Sequence, residues 1–209
     1  RAEPVDGFLV IGNIYYVGAS DLASYLIVTD EGHFLIDTGV SEMTSVIRNN
    51  IENLGFHLQD IRYILQSHAH FDHIQGHAVM KRLTGAQVLV MDDDADAMEA
   101  GRDLSPLGFE GWEPVSVDRR LTHGERISLG STTLVATKAP GHTQGCTTWS
   151  LDTQDSGATV NVAIFGCNGL NDGDQSVDNT RFHHSVEDAR RGLYNFAVLS
   201  SAFCFAGYF

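Results

Sequence analysis

The sequence predicts an α/β fold of two halves, in which two sheets pack face to face with helices outside. The main observation is the order of the apolar segments, because strands followed by helices occur twice along the chain. The 209 residues contain no linker-like stretch, so one domain over 1–209 is expected. The 43% hydrophobic and 19% charged residues are typical of a globular protein.

Apolar runs broken by Gly and Asp predict a meander of strands at 8–11, 14–17, 25–28 and 34–36. Apolar residues at helical spacing then predict a helix that Ser41 caps and Gly55 closes. A strand at 63–65 leads into the histidine-rich segment 67–73, and a helix continues to about residue 83.

The second half repeats this order. A strand at 88–91, a short helix at 92–100 and a loop to about residue 114 precede the second sheet. That sheet is predicted from β-branched segments at 126–129, 132–137, 147–151 and 160–165. A sequence resembling a capping box at Ser185 predicts a final helix.

The charge disfavours two classes of partner. With 13 Lys and Arg against 27 Asp and Glu, the net charge is −14, which repels phosphate backbones and anionic membrane surfaces. No apolar run is long enough to span a bilayer. The first four residues lack the regions of a signal peptide, although a signal already removed would leave the same sequence. We expect a small-molecule substrate, no nucleic acid and no membrane partner.

The segment 68–73 carries the strongest chemical signal. Its spacing lets His68 and His70 point to one side of a turn, and imidazole is a preferred zinc ligand. His142, in a Gly-flanked turn after a strand, can supply a third histidine. Three protein ligands that leave the fourth position to water are typical of catalytic zinc.

The same segment offers ligands for a second metal. Asp72 and His73 point away from the first pair by their spacing and could hold a second ion, as in two-metal hydrolases. Zinc lowers the pKa of bound water to about 7, which gives a hydroxide nucleophile that Asp72 is placed to orient.

The other candidates are weaker. Asp37 ends an apolar strand, where it could either hold a ligand histidine in place or cap the turn before Gly39. His77, one helical turn past His73, could approach the site. Five further histidines are expected to be solvated or to lie in turns, namely His33, His57, His123 and the pair at 183–184.

Six motifs together resemble the metallo-β-lactamases: NIYYVG at 13–18, LASYLI at 22–27, GHFLIDTG at 32–39, SHAHFDH at 67–73, LG at 129–130 and APGHT at 139–143. The ligand set of histidines and aspartate, including His73, indicates the third subclass. The resemblance extends over about residues 8–200.

The resemblance implies a four-layer αβ/βα sandwich with a cleft for two zinc ions at one edge of the sheets. It also implies a secreted or periplasmic bacterial enzyme that confers antibiotic resistance by hydrolysing the amide of β-lactams. A metal-bound hydroxide would attack the lactam carbonyl, and the second zinc would stabilise the departing nitrogen.

Two departures from the family pattern leave alternatives open. The family's third ligand to the second zinc is a histidine after the last helix, and we expect it just beyond Phe209. The second site is then incomplete unless His77, Cys167 or a neighbouring chain completes it, and a metal-binding but catalytically impaired homologue is one alternative.

The second departure lies at 165–168. Glyoxalase II and many lactonases carry a bridging aspartate here and this chain does not, which weakens a lactone or thioester hydrolase without excluding it. Asn168 is expected to meet the substrate carboxylate where related lactamases place a serine. Cys167 is either a zinc ligand, as in the other subclasses, or a buried small residue. The cysteines at 146, 167 and 204 are too few and too dispersed to predict a disulfide scaffold.

Overall fold

The computed structural model describes residues 3–104, 108 and 111–167, and the backbone of 204–206. In this part of the chain, seven strands form one sheet in sequence order: β1 (Phe8–Ile11), β2 (Ile14–Tyr16), β3 (Tyr25–Thr29), β4 (Gly32–Ile36), β5 (Ile61–Leu65), β6 (Gln87–Met91) and β7 (Arg119–Leu121). Strands β1 to β4 pair antiparallel, and β4 to β7 pair parallel.

The second sheet has five described strands: β8 (Glu125–Leu129), β9 (Thr132–Lys138), β10 (Thr147–Asp155), β11 (Ala158–Ile164) and β12 (Cys204–Ala206). Their order in the sheet is β12-β11-β10-β9-β8, with β12 parallel to β11 and the other pairs antiparallel. The described helices are α1 (Met43–Asn53), α2 (Phe71–Ile74), α3 (His77–Thr84) and α4 (Asp92–Ala100), and a 3₁₀ turn spans Leu58–Asp60.

The first sheet separates two cores. On one side, Leu35 and Ile64 pack with apolar residues of the helices, including Ile47 and Met98. On the other side, residues of both sheets pack together: Phe34, Ile36, Leu65, Leu89, Leu134 and Trp149. Successive side chains of a strand point to opposite faces, so β4 serves both cores with consecutive residues.

These cores define three layers in the described part of the chain: helices, the first sheet and the second sheet. The predicted α/β fold with facing sheets is confirmed. The helix predicted after Ser185 lies outside the described residues. None of the described helices is long and apolar enough to cross a membrane.

Local turn chemistry accounts for most differences from the predicted elements. Ser41 does not cap α1, because Glu42 occupies the N-cap position without a side-chain cap hydrogen bond. The helix predicted to run to residue 83 is interrupted at Gly76, where an added Cβ would stand 2.9 Å from Thr38. Strand β7, which begins with two arginines, was not predicted because its pattern lacks an apolar run.

Candidate metal centre

The candidate metal centre lies where parallel strands of the first sheet end. Asp37 directly follows β4, the segment 67–73 follows β5, and Asp94 lies in the first turn of α4 directly after β6. Because β4, β5 and β6 are adjacent and parallel, their carboxyl ends bring these segments together. The turn between β9 and β10 brings His142 to the same place from the second sheet.

The first candidate ligand group consists of His68, His70 and His142. One ligand nitrogen of each lies within 4.8 Å of the others, as predicted from the sequence. His70 Nδ1 stands 3.1 Å from His142 Nε2. Two nitrogens bound tetrahedrally to one zinc ion at 2.0–2.1 Å stand about 3.3 Å apart, so this spacing suits a shared ion.

The electrostatics of this group also suit a metal. Burial, followed by the neighbouring histidines, lowers the pKa of His68 well below its ordinary value. Burial and the charges of His70 and His73 lower the pKa of His142 to about 4. Both rings are therefore neutral near pH 7 and present the lone pairs that a metal requires.

The second candidate group contains His68, Asp72 and His73, whose ligand atoms also lie within 4.8 Å of one another. His73 Nε2 is 4.0 Å from Asp72 Oδ2. The sequence assigned His68 to the first site alone, whereas the structure places it in both groups.

Asp37 connects the end of β4 to the turn that carries these ligands. Its Oδ1 accepts a hydrogen bond from Ser67 N at 2.6 Å, and its Oδ2 lies 2.8 Å from His73 Nδ1. The hydroxyl of Ser67 donates to the same Oδ2 at 2.7 Å. The carboxylate thus holds a candidate ligand histidine, which is the first of the two roles considered from the sequence.

The position of Asp37 has energetic consequences. It is one of two described non-glycine residues with a positive φ, at 58°, a conformation that costs about 1–3 kcal/mol. Burial lowers the pKa of His73, but the charge and hydrogen bond of Asp37 and the charge of Asp72 outweigh it, and the net shift is upward. Asp37 therefore orients His73 with Nδ1 inward and leaves Nε2 on the side of Asp72.

Asp94 is a functional candidate that sequence reasoning missed. Its Oδ2 accepts hydrogen bonds from Ala69 N at 2.9 Å and Thr143 Oγ1 at 2.8 Å, and its Oδ1 accepts one from Gly145 N at 2.9 Å. Ala69 separates His68 from His70, so one buried carboxylate ties both ligand-bearing turns together.

The surroundings of Asp94 explain why it was overlooked. In the sequence it is one of three consecutive aspartates, a pattern typical of the solvated first turn of a helix. The net pKa of its carboxyl is raised to about 6, because the effect of burial outweighs the hydrogen bonds from Thr143, Gly145 and Ala69, which lower the pKa. A Cβ added at Gly145 would stand 2.5 Å from Asp94 Cγ, so this contact requires glycine.

Asp103 is a second missed candidate. It is buried, and its Oδ1 lies 3.8 Å from His70 Nε2, on the opposite side of the ring from the nitrogen that faces His142. A carboxylate behind a ligand histidine is a common feature of metal sites. The loop that carries it gave no periodic signal.

The remaining candidate residues do not join the two ligand groups. His77 is buried with Nδ1 2.8 Å from Thr38 Oγ1, and burial lowers its pKa to about 4. His33 is buried against Phe56 rather than solvated as expected, whereas His57 is exposed. His123 lies in the turn before β8, as expected.

Cys167 forms a disulfide with Cys146, which was neither of the roles considered for it. Asn168 and the histidines at 183–184 lie outside the described residues.

The comparisons with known proteins agree with this geometry. The model of the metallo-β-lactamase superfamily matches residues 18–192, and the chain belongs to this superfamily. Its fold is the metallo-β-lactamase fold.

Solved structures narrow the resemblance to one subclass. The native FEZ-1 metallo-β-lactamase from Legionella gormanii is 38% identical, with a TM-score of 0.90 over 98% of this chain and 78% of that one. BJP-1, a subclass B3 enzyme of Bradyrhizobium japonicum, is 36% identical with a TM-score of 0.86, over 92% and 74%. LRA-12, a di-zinc class B3 enzyme from an Alaskan soil metagenome, is 33% identical with a TM-score of 0.88, over 93% and 75%.

Curated relatives are more distant and more varied. An N-acyl homoserine lactonase of a Bacillus species is 26% identical over 65% of this chain and 60% of its own length. A hydroxyacylglutathione hydrolase of Rhodospirillum rubrum is 28% identical over 45% of this chain and 29% of its own length. The chain thus spans less than two thirds of these relatives. The names of these relatives describe different substrates.

Proposed function

We propose that this protein hydrolyses the amide bond of β-lactams in a zinc-dependent reaction. The observation that carries the proposal is the group of His68, His70 and His142, whose nitrogens converge and whose donor set suits catalytic zinc. The subclass B3 structures at 33–38% identity favour a lactam as substrate.

The proposed roles of the residues follow from their contacts. His68, His70 and His142 would hold the first zinc ion, and Asp72 and His73 would contribute to a second. Zinc bound there supplies a Lewis acid that activates water and polarises the lactam carbonyl.

Asp72 is the proposed catalytic residue. Its side chain is 31% exposed, more than that of His73 at 9%, so it can accept a hydrogen bond from the attacking water. That hydrogen bond would orient the water toward the carbonyl. Asp37 would keep His73 in position, and Asn168 remains our proposed contact for the substrate carboxylate.

The site of action is part of the proposal. We place the protein in the bacterial periplasm or outside the cell, where it would confer resistance to β-lactams. The disulfide between Cys146 and Cys167 supports this placement, because disulfides persist in oxidising compartments.

A chromogenic cephalosporin tests the proposal. The zinc-loaded protein should hydrolyse it, and a chelator should abolish the turnover. His142→Ala should lose the activity, while His57→Ala, which removes an exposed histidine outside the site, should keep it. Absence of chelator-sensitive lactam turnover in zinc-loaded protein would refute the proposal.

A lactone or thioester hydrolase is the second candidate, favoured by the lactonase and hydroxyacylglutathione hydrolase relatives. Acyl homoserine lactones and glutathione thioesters measured beside the cephalosporin distinguish the two. A catalytically impaired homologue would bind zinc and hydrolyse none of these substrates.

A further inference from the structure

We propose that Cys146, Cys167 and His68 form a thiolate-containing metal site that opens when the disulfide between the two cysteines is reduced. The site lies beside the three-histidine group and shares His68 with it. The inference concerns metal binding alone, so it does not require that lactams are the substrate.

The geometry of the three side chains supports a common metal ion. The two sulfurs and one nitrogen of His68 all lie within 4.8 Å of one another. Two sulfurs bound tetrahedrally to one zinc ion at about 2.3 Å stand about 3.8 Å apart, so the two sulfurs that reduction frees have to move apart while His68 stays within reach. Two cysteines and one histidine are an established zinc ligand set, with a fourth position left for water.

The backbone holds both cysteines near His68 without help from the disulfide. Cys146 O accepts a hydrogen bond from Ala139 N at 2.7 Å, and the following residue, Thr147, donates its N–H to Ser67 O at 2.7 Å. Ser67 directly precedes His68, so this bond ties the first cysteine to the histidine turn.

The second cysteine is held in a similar way. Gly166 N donates to Thr148 Oγ1 at 3.3 Å, and a Cβ added at Gly166 would stand 2.0 Å from Thr147 O. The chain before Cys167 thus lies directly against the chain after Cys146, an approach that only glycine permits. Reduction should leave the two thiols adjacent, since these contacts do not involve sulfur.

The opening step needs a reductant, and a small dithiol supplies it. Cys146 is fully buried and Cys167 is partly exposed, so the reductant thiolate reaches Cys167 Sγ first. It forms a mixed disulfide with Cys167 and releases the Cys146 thiolate, which takes up a proton. The second thiol of the reductant then displaces Cys167 and closes to a cyclic disulfide. A divalent metal that binds both sulfurs afterwards displaces their two protons.

The shared histidine links the two metal sites. In the oxidised protein His68 is available to the three-histidine group, whereas in the reduced protein two thiolates compete for an ion at the same ring. Thiolates favour softer metals than imidazole or carboxylate ligands do. Reduction should therefore change which metal the cleft prefers as well as how tightly it binds.

Cobalt(II) binding tests the proposal, because thiolate ligands give a sulfur-to-cobalt charge-transfer absorption in the near ultraviolet and imidazole ligands do not. Oxidised protein should bind cobalt without this absorption. Protein reduced with a dithiol and freed of it without air should show it. Absence of the absorption from the reduced wild type would overturn the proposal.

Cysteine variants identify the ligands. After the same reduction and removal of the dithiol, Cys146→Ser and Cys167→Ser should each weaken or abolish the charge-transfer absorption, and the double variant should lack it. Cys204→Ser, which removes the remaining cysteine of the sequence, should retain it. Full absorption in Cys146→Ser would show that Cys167 binds alone and would overturn the two-cysteine site.

A count of free thiols tests separately whether the disulfide closes this site in the oxidised protein. Two of the three cysteines of the sequence are paired, so unfolded oxidised protein should expose two thiols fewer than unfolded reduced protein. Three thiols before reduction would show that the disulfide is absent and would overturn the proposed control by reduction. If lactam hydrolysis fails while these results hold, the proposed function is wrong and the thiolate site stands.

Discussion

The two turns that carry the candidate ligands are built differently. The turn at 67–73 contributes His68, His70, Asp72 and His73, and Asp37 from the neighbouring strand holds it. The turn at 139–146 contributes one histidine.

The second turn is held from further away in the sequence. Asp94 bonds to it over separations of 49 and 51 residues, and the same carboxylate reaches Ala69 in the first turn. The comparison shows that the first turn is oriented within the first sheet, whereas the position of His142 depends on how the halves dock. Variants of the two aspartates should consequently have different effects.

The largest effect is expected from His68→Ala, because this residue belongs to both candidate groups. The variant should lose tight zinc binding at both sites and all chelator-sensitive hydrolysis. Metal analysis after dialysis and the cephalosporin assay measure this. Retention of one tightly bound zinc would show that His70 and His142 do not need it.

Asp94→Asn should weaken the first zinc site, because one amide cannot accept all three hydrogen bonds and its own N–H meets donors. We expect an affinity loss of about 10–100-fold and a loss of unfolding free energy of about 1–3 kcal/mol. Competition with a chelator measures the zinc affinity, and denaturant unfolding measures the unfolding free energy. Asp93→Asn, at a partly exposed neighbour that pairs with Lys138, is the matched control and should change the affinity little.

Asp37→Asn should instead affect the second zinc more than the first, since Asp37 contacts His73 directly but reaches His68 only through Ser67. The expected loss of zinc affinity is about 10-fold or more for the second equivalent, with a smaller change for the first. Stepwise zinc titration separates the two equivalents. Equal weakening of both would mean that the two groups do not act separately.

An effect expected in the absence of any metal is a pH dependence of the protein's stability. The pKa of His142 is about 4 in the folded state against an ordinary 6.5, so between these values only the unfolded chain binds this proton. Stability should therefore fall as the pH falls from about 6.5 to about 4. His142→Gln should reduce this fall by about 1–3 kcal/mol, measured by denaturant unfolding at several pH values. An unchanged slope in the variant would contradict the assignment.

The contrast between the turns also explains what the sequence could predict. The segment 68–73 is recognisable because its ligands lie within six residues, and strands such as β4 and β6 are marked by compact apolar runs. The glycine-flanked turn around His142 is what predicts this residue as a ligand. Local pattern was sufficient for all of these.

The missed features depend on tertiary contact. Asp94 resembles an ordinary helix-start aspartate until the fold buries it, and Asp103 lies in a loop without periodicity. The disulfide joins cysteines 21 residues apart, on either side of the hairpin of β10 and β11, and their spacing alone does not indicate it. A residue that acts across the two halves gives no signal in its own neighbourhood.

The most direct test of the central claim is a cobalt titration of oxidised protein that follows the first equivalent. The claim is that His68, His70 and His142 form a complete site that does not require Asp72 or His73. The double variant Asp72→Asn with His73→Ala should retain the first equivalent within about threefold of the wild-type affinity, and His142→Ala should lose it. Loss of the first equivalent in the double variant, or its retention in His142→Ala, would contradict the claim.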